Sequence, residues 1–225
     1  MGLAQLAVFV RPSTEGKVKT RLEPRFGASG ATALYEAFVE DALALCARVR
    51  DAGRVDLALW STELDGPGVD AWGRTLGVVP RLQPEGELGE RLAAAFDEGL
   101  RDYERVVIIG SDLPTLPFRL IASAFDALES SPLALGPAND GGYYLIGASH
   151  GLRPRFEGVR WSTSAAFADT VRANQGTEIA TLPPWYDVDD ESDLEVLRAH
   201  LSVQPKAAPA TARCLASLGA LKDTA

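Results

Sequence analysis

Short apolar runs alternate with longer stretches in which apolar residues recur every three or four positions. This is the rhythm of strand–helix units around a mainly parallel sheet. The runs Leu3 to Val10, Val55 to Trp60, Val78 to Leu82, Val106 to Ile109, Leu133 to Gly136, Tyr143 to Ile146 and Glu178 to Leu182 predict strands. From Gly30 to Arg50, Leu34, Phe38, Ala42, Leu45 and Val49 form one buried stripe of a helix. Leu88, Leu92, Phe96 and Leu100 predict a second, Ile121, Ala124, Phe125 and Leu128 a third, and Leu194, Leu197 and Leu201 a closing helix from about Asp190. The reading is a single α/β domain of three layers, α/β/α, over residues 1–202. A proline- and alanine-rich linker and tail follow over 203–225, with room for one extra helix.

With 225 residues, 46% of them apolar, the chain can bury a full core without help from a metal or disulfide, so any metal would serve chemistry. Its two cysteines, Cys46 and Cys214, have no zinc-ligand or redox spacing, and no signal peptide or membrane span is discernible; a reducing, cytoplasmic setting is expected. The net charge of −9 argues against nucleic acid and anionic membranes as partners. Against that acidic background, a local basic cluster stands out.

That cluster is RPSTEGKVKTRL, directly after the first strand, with Arg11, Lys17, Lys19 and Arg21 around Gly16. Ligands of open parallel sheets bind beyond the carboxyl ends of the strands. A flexible loop there can offer backbone N–H groups and cations to a polyphosphate; a solvated basic surface loop is the alternative. As exposed loop charges, Lys19 and Arg21 are expected to support binding and not stability. The loop is neither a Walker A motif nor a dinucleotide fingerprint.

Further candidates follow other strands. In GSDLP, Asp112 leaves a buried run and suits Mg²⁺ (or Mn²⁺), which needs few protein ligands when phosphates share it; Ser111 and Asp112 are equally competent helix caps. In WYDVDDESDL, Asp187 and Asp189 fall on one side of an extended segment while Asp190 caps the next helix with Asp193, leaving acids for a second metal contact. In GPANDGGYYLIG, a plain hairpin turn competes with a loop that lets a substrate approach, Asp140 accepting a hydroxyl or facing the metal. Gln83 and the GELGERL segment could meet a nucleobase edge. The two histidines, His150 and His200, lie in unrelated segments, which argues against a histidine metal site or triad.

In this order, GKVKTRL, GELGERL, GSDLP, GPANDGGYYLIG, WSTS and DVDDESDL resemble a family of bacterial glycosyltransferase-like proteins, the selenodomain-associated transferase 1 family, over about residues 3–200. That family has the glycosyltransferase-A, nucleotide-diphosphosugar transferase fold. The basic loop is also similar to that of phospholactate and molybdenum-cofactor guanylyltransferases. The resemblance implies a nucleotide site at Arg11, Gly16, Lys17, Lys19, Arg21 and Ser111, with Gln83 and Gly89 near the base. It implies a metal at Asp112 and Asp189, with Asp187 beside them, and an acceptor pocket at Asp140, Gly141, Gly142 and Tyr143. Lys19, Arg21, Asp112 and Asp140 are the implied catalytic groups. The chain departs from many glycosyltransferases in carrying one acid, not Asp-x-Asp, at the Asp112 position. The implied substrates are a nucleotide sugar or a nucleoside triphosphate and a small acceptor. Glycosyl transfer, nucleotidyl transfer with pyrophosphate release, and non-catalytic nucleotide binding all remain open at this point.

Overall fold

The computed structural model describes residues 4–53 and 55–221; Leu3, where the first expected strand begins, lies outside them. The elements run β1 (Ala4–Val10), α1 (Glu23–Ala52), β2 (Val55–Ser61), α2 (Val69–Leu76), β3 (Arg81–Leu82), α3 (Leu88–Asp102), β4 (Arg105–Ile109), α4 (Phe118–Ala127), β5 (Leu133–Pro137), β6 (Tyr143–Ser149), α5 (Ala166–Ala173), β7 (Ile179–Thr181), α6 (Glu191–Val203) and α7 (Pro209–Ser217).

The described strands form one seven-stranded sheet in the order β3-β2-β1-β4-β6-β5-β7. β1 pairs in parallel with both β2 and β4, and β5 with β7, while β6 runs antiparallel to β4 and β5. Six strands therefore end at one edge of the sheet, and β6 begins there. Because β1 is followed outward by β2 on one side and by β4 on the other, the chain reverses its winding between β1 and β4. A crevice opens at that point, and the loops leaving β1 and β4 are its two lips.

Alternation along the strands feeds two cores. Leu6, Val8 and Val10 of β1 pack with α1, α2 and α4 on one face, while Ala7 joins Leu92 and Phe96 of α3 and Phe167 of α5 on the other. A third apolar cluster joins Leu34 and Phe38 of α1 to Leu194, Leu197 and Leu201 of α6 and Leu215 of α7. The stripe expected on the first helix is in place, but α1 begins at Glu23 and is interrupted at Gly27, whose φ of 70° and ψ of 168° are not helical. Gly30 does not open the helix as the sequence implied. A Cβ there would lie 2.9 Å from Phe26 Cβ and 3.3 Å from Leu218, so the glycine admits a close contact. The helices α2 and α5 are additions to the sequence reading: each is eight residues long and too short to show a repeating stripe.

The C-terminal helix is fastened by a polar contact. The first turn of α7 has no side-chain cap of its own. Instead the buried carboxylate of Asp41, on α1, accepts the backbone N–H of Ala210 at 3.0 Å and of Thr211 at 2.8 Å. Asp41→Ala should therefore cost about 1–3 kcal/mol, the penalty of orphaning buried donors. Hydrogen exchange is expected to accelerate in residues 209–217 well before the β1–β4 strands are affected; unchanged protection of α7 would contradict this anchor.

Candidate functional site

A cleft of about 590 Å³ opens at the predicted edge of the sheet. Its walls include Arg11, Lys17, Lys19 and Arg21 from the loop after β1, Asp112 after β4, Asp140, Gly142 and Tyr143 at the β5–β6 turn, Trp161 to Ser164, and Asp187 and Asp189. Five sequence-distant motifs thus meet in one place.

The basic loop is not the flexible segment expected. Tyr35 of α1 uses its hydroxyl to accept Arg11 N–H at 2.9 Å and to donate to Arg11 C=O at 3.0 Å. Ser13 donates to Glu36 at 2.6 Å, and its N–H reaches Pro67 C=O at 3.0 Å. Gly16 takes a φ of 76° to turn the chain, and Lys19 sits in the left-handed region at φ 48°, ψ 39°. Burial, with the Asp112 charge adding to it, pushes the Tyr35 phenol up to about 12, so it stays protonated and able to donate.

Lys19 is the centre of the site. Its side chain is only 5% exposed, and its ammonium lies 2.7 Å from one oxygen of Asp112 and 2.7 Å from one oxygen of Asp189. The contact to Asp189 is a hydrogen bond, whereas Asp112 Oδ1 is a buried oxygen without a hydrogen-bond partner, in ion contact alone. Burial pulls the lysine pKa down, but Asp112 and Asp189 outweigh it and hold the group above its ordinary value. The expectation of an exposed lysine is corrected: an ammonium lodged between two carboxylates supports the fold as well as any ligand.

Asp112 does not cap a helix, since α4 starts at Phe118 behind Pro117. Its carbonyl accepts Val188 N–H at 3.0 Å, which stitches the β4 loop to the segment carrying Asp187 and Asp189. Asp190 caps α6 in the predicted capping box, its carboxylate accepting from Ser192 and Asp193 and the Asp193 carboxylate from Asp190. That leaves Asp187 and Asp189 to face the cleft. Burial first, then the charges of Asp140 and Asp189, pushes the Asp187 carboxyl up to about 6.

Asp140 closes the β5–β6 turn by accepting Gly142 N–H at 2.8 Å, so the hairpin-turn reading and the cleft reading both apply. Gly141 lies at φ 88°, and a Cβ there would strike the Ser164 backbone. Gln83, Gly89, Gly16, Ser111 and Gly141 do not line the cleft. The Gln83 amide is buried and donates to Val10 C=O at 3.3 Å and Trp60 C=O at 3.0 Å. Gly89 backs the aromatic wall, where a Cβ would come within 2.9 Å of Trp161. Ser111 is buried, 3.3 Å from the Tyr35 hydroxyl. Tyr35 and the Trp161–Ser164 segment, the WSTS motif, are cleft residues to which the sequence assigned no site role, and Leu88, expected in the buried stripe of α3, is exposed at the helix start and lines the cleft instead. A side recess of about 270 Å³ shares Arg11, Lys17 and Val18 with the cleft and adds Thr62, Glu63 and Arg91.

Among the described residues no three acidic, histidine or cysteine side chains converge to cage a metal unaided. Asp112 and Asp189, with Asp187 near, do suit a hard cation that takes its other ligands from phosphates and water. Beside them the Asp187 carboxyl, raised by burial and by the charges of Asp140 and Asp189, would gain from a cation. Lys19 holds the position between Asp112 and Asp189, so a metal there would have to share or displace it.

The family model described as "Uncharacterized protein conserved in bacteria (DUF2064)" matches residues 45–163. The chain is similar to a "putative nucleotide-diphospho-sugar transferase" of known crystal structure from Desulfovibrio desulfuricans G20, with 34% identity over 97% of each chain and a TM-score of 0.83. More distant likenesses are to CMP:2-keto-3-deoxy-manno-octonic acid synthetase complexed with CTP (13% identity, 90% of this chain and 99% of that one, TM-score 0.57) and to a cytidylyltransferase from Leptospira borgpetersenii (12%, 99% and 98%, 0.58). Among curated proteins no match was found. The fold is thus the expected one, a single α/β domain of nucleotide-diphosphosugar transferase type.

Removing the central cation gives a test that needs no substrate. Breaking a buried pair costs about 3–5 kcal/mol. The acids are 42% and 45% exposed, which reduces the expected loss for Lys19→Ala to about 1–3 kcal/mol. Mg²⁺ should then raise the melting temperature of the variant more than that of the wild type. Equal responses would speak against a metal at these carboxylates.

Proposed function

The chain belongs to the bacterial family DUF2064, and from that premise we propose that it is a magnesium-dependent transferase of a nucleotide-activated donor. Within the family we read it as a cytoplasmic glycosyltransferase-like protein of the selenodomain-associated transferase 1 group. The observation that carries this reading is the juxtaposition of Lys19, on the loop after β1, with Asp112 and Asp189 at the crevice of the sheet. Cations and carboxylates are brought together there at the point where a parallel sheet takes its ligands.

The donor's phosphates lie along Arg11, Lys17, Lys19 and Arg21, and its nucleoside end enters the recess beside Thr62, Glu63 and Arg91. Asp112 and Asp189, with Asp187 as a further ligand, would hold Mg²⁺, which neutralises charge building on the phosphate oxygens. Lys19, lodged beside the same carboxylates, and Arg21 add positive charge from the loop after β1, and the pinned loop keeps them in place, so little reorganisation accompanies the reaction. Tyr35 fixes the Arg11 backbone. At the far wall Asp140 keeps Oδ2 free to accept a proton from the acceptor hydroxyl, its Oδ1 being engaged with Gly142.

Transfer of a glycosyl group from a nucleotide sugar is the first reading, and the 34% identical relative's description favours it. The lone acid at Asp112, in a fold shared with a cytidylyltransferase, favours transfer of a nucleotidyl group instead. Pyrophosphate release from a nucleoside triphosphate, measured against nucleoside diphosphate release from a nucleotide sugar, separates the two.

Asp112→Asn should leave the fold intact and abolish the Mg²⁺-dependent share of nucleotide affinity. The expected loss is about 10- to 100-fold, the worth of one charge-assisted contact of about 1.5–3 kcal/mol. Calorimetric titration with Mg²⁺ and with chelator checks it; a full magnesium response in the variant would remove Asp112 from the metal site.

A further inference from the structure

The cleft is divided by charge. All four cations that line it, Arg11, Lys17, Lys19 and Arg21, come from the single loop after β1. Among the described residues the opposite wall presents no lysine or arginine. It offers Asp140, Tyr143 and Trp161, with the hydroxyl residues Ser162, Thr163 and Ser164. Arg160, the nearest cation along the chain, is committed elsewhere: its Nε donates to Asp169 Oδ2 at 2.8 Å and its Nη2 to Asp169 Oδ1 at 3.1 Å. Asp140 and Asp187 form no ion pair among the described residues, in contrast to Asp112 and Asp189, which share Lys19.

This wall is also closely packed. The Trp161 indole meets Tyr143 edge-on at 6.3 Å and 74°, leans on Phe156 at 5.9 Å, and is backed by Gly89, where no side chain would fit. Ser162 holds a φ of 57°, a strained backbone for a residue with a Cβ. Gly141 approaches the Ser164 backbone so closely that the β5–β6 turn and the Trp161–Ser164 segment form one surface, and Phe167 N–H closes it on Gly141 C=O at 2.9 Å.

We propose that this wall is the acceptor subsite, and that its ligand is an uncharged, hydroxyl-bearing molecule of the sugar or polyol class, seated against Trp161 with its hydroxyls on Asp140, Ser162 and Ser164. The proposal rests on the transferase reading above and specifies what the transferred group is passed to. A fixed aromatic face covers the C–H face of a ring or carbon chain and leaves the polar edge wet. A carboxylate only accepts hydrogen bonds, while serine and threonine hydroxyls both give and take, so the matching ligand presents several hydroxyl donors. A phosphate or carboxylate on the acceptor would face Asp140 with no cation among the described residues of that wall to receive it. Repulsion of that kind excludes wrong partners as effectively as attraction selects right ones.

The full chain, with and without saturating UDP or GDP and Mg²⁺, is titrated with glycerol, myo-inositol and glucose, and in parallel with glucose 6-phosphate and gluconate. Tryptophan emission and calorimetry are the readouts. At least one uncharged probe should bind about tenfold or more tightly than the charged ones, given like-charge repulsion on this wall. Trp161→Ala should lose that binding and its fluorescence signal while keeping the nucleotide-induced thermal shift, and Asp140→Lys should reverse the preference toward glucose 6-phosphate. Tighter binding of the charged probes, no binding of any uncharged probe, or unchanged sugar affinity in Trp161→Ala would each overturn the proposal. A wild type that shows no nucleotide-induced shift yet binds uncharged probes through Trp161 would instead sink the transferase reading and support the subsite.

Discussion

The site depends on one ammonium group. Lys19 ties the loop after β1 to Asp112, 93 positions later, and to Asp189, a further 77 positions on, so one cation holds together segments that share no local contact along the chain. Burying a lysine is costly, and two carboxylates at 2.7 Å offset that cost only because both stay hydrated on their outer sides. The geometry also demands a left-handed backbone at Lys19 itself, which a residue with a Cβ adopts reluctantly. Ionic contact and backbone strain are thus set against each other at the same residue.

Among the described residues the non-glycine positions with positive φ are Lys19 and Ser162, and both line the cleft, on opposite walls. Strained residues persist where their surroundings over-determine them. For Lys19 the surroundings are two acids and the Phe38 ring 5.7 Å away; for Ser162 they are the packed indole of Trp161 before it and the turn closed by Thr163, whose hydroxyl donates to Arg160 C=O at 2.7 Å. Two such positions on facing walls of one cleft are where backbone strain is expected to accompany function.

Most of the fold was legible because its signals are local. Apolar runs bounded by glycine and proline gave β1, β2, β4, β5 and β6 to within a few residues, and four- and three-residue steps gave α1, α3, α4 and α6. Short elements escaped: α2 and α5 cover about two turns each, whereas α7 is the extra helix for which the tail left room, held to α1 by apolar packing of Leu215 and by the Asp41 carboxylate. In the site, the charged motifs could be read from composition against an acidic background. What the sequence hid was burial. Nothing in GKVKTRL distinguishes Lys19, lodged between carboxylates, from Lys17, which is exposed, because the difference is made by Asp112 and Asp189 arriving from elsewhere. Burial hid Gln83 as well, a polar residue at a strand end whose amide NH₂ donates to two backbone carbonyls.

The placement of β6 explains why the cleft has two chemical halves. Had every strand run parallel, each loop at this edge would follow a strand's carboxyl end. By entering the sheet antiparallel between β4 and β5, β6 instead begins at that edge, and a tight turn delivers Asp140, Gly142 and Tyr143 directly across from the β1 loop. That turn brings an acid and a glycine to the cleft, and the long connection from β6 to α5 returns to the same edge with Trp161 to Ser164. The basic wall is the loop after β1, and the wall opposite is acidic, aromatic and hydroxylated. Strand direction thus sets which segments face each other across the site, and the residues on those segments give each side its chemistry.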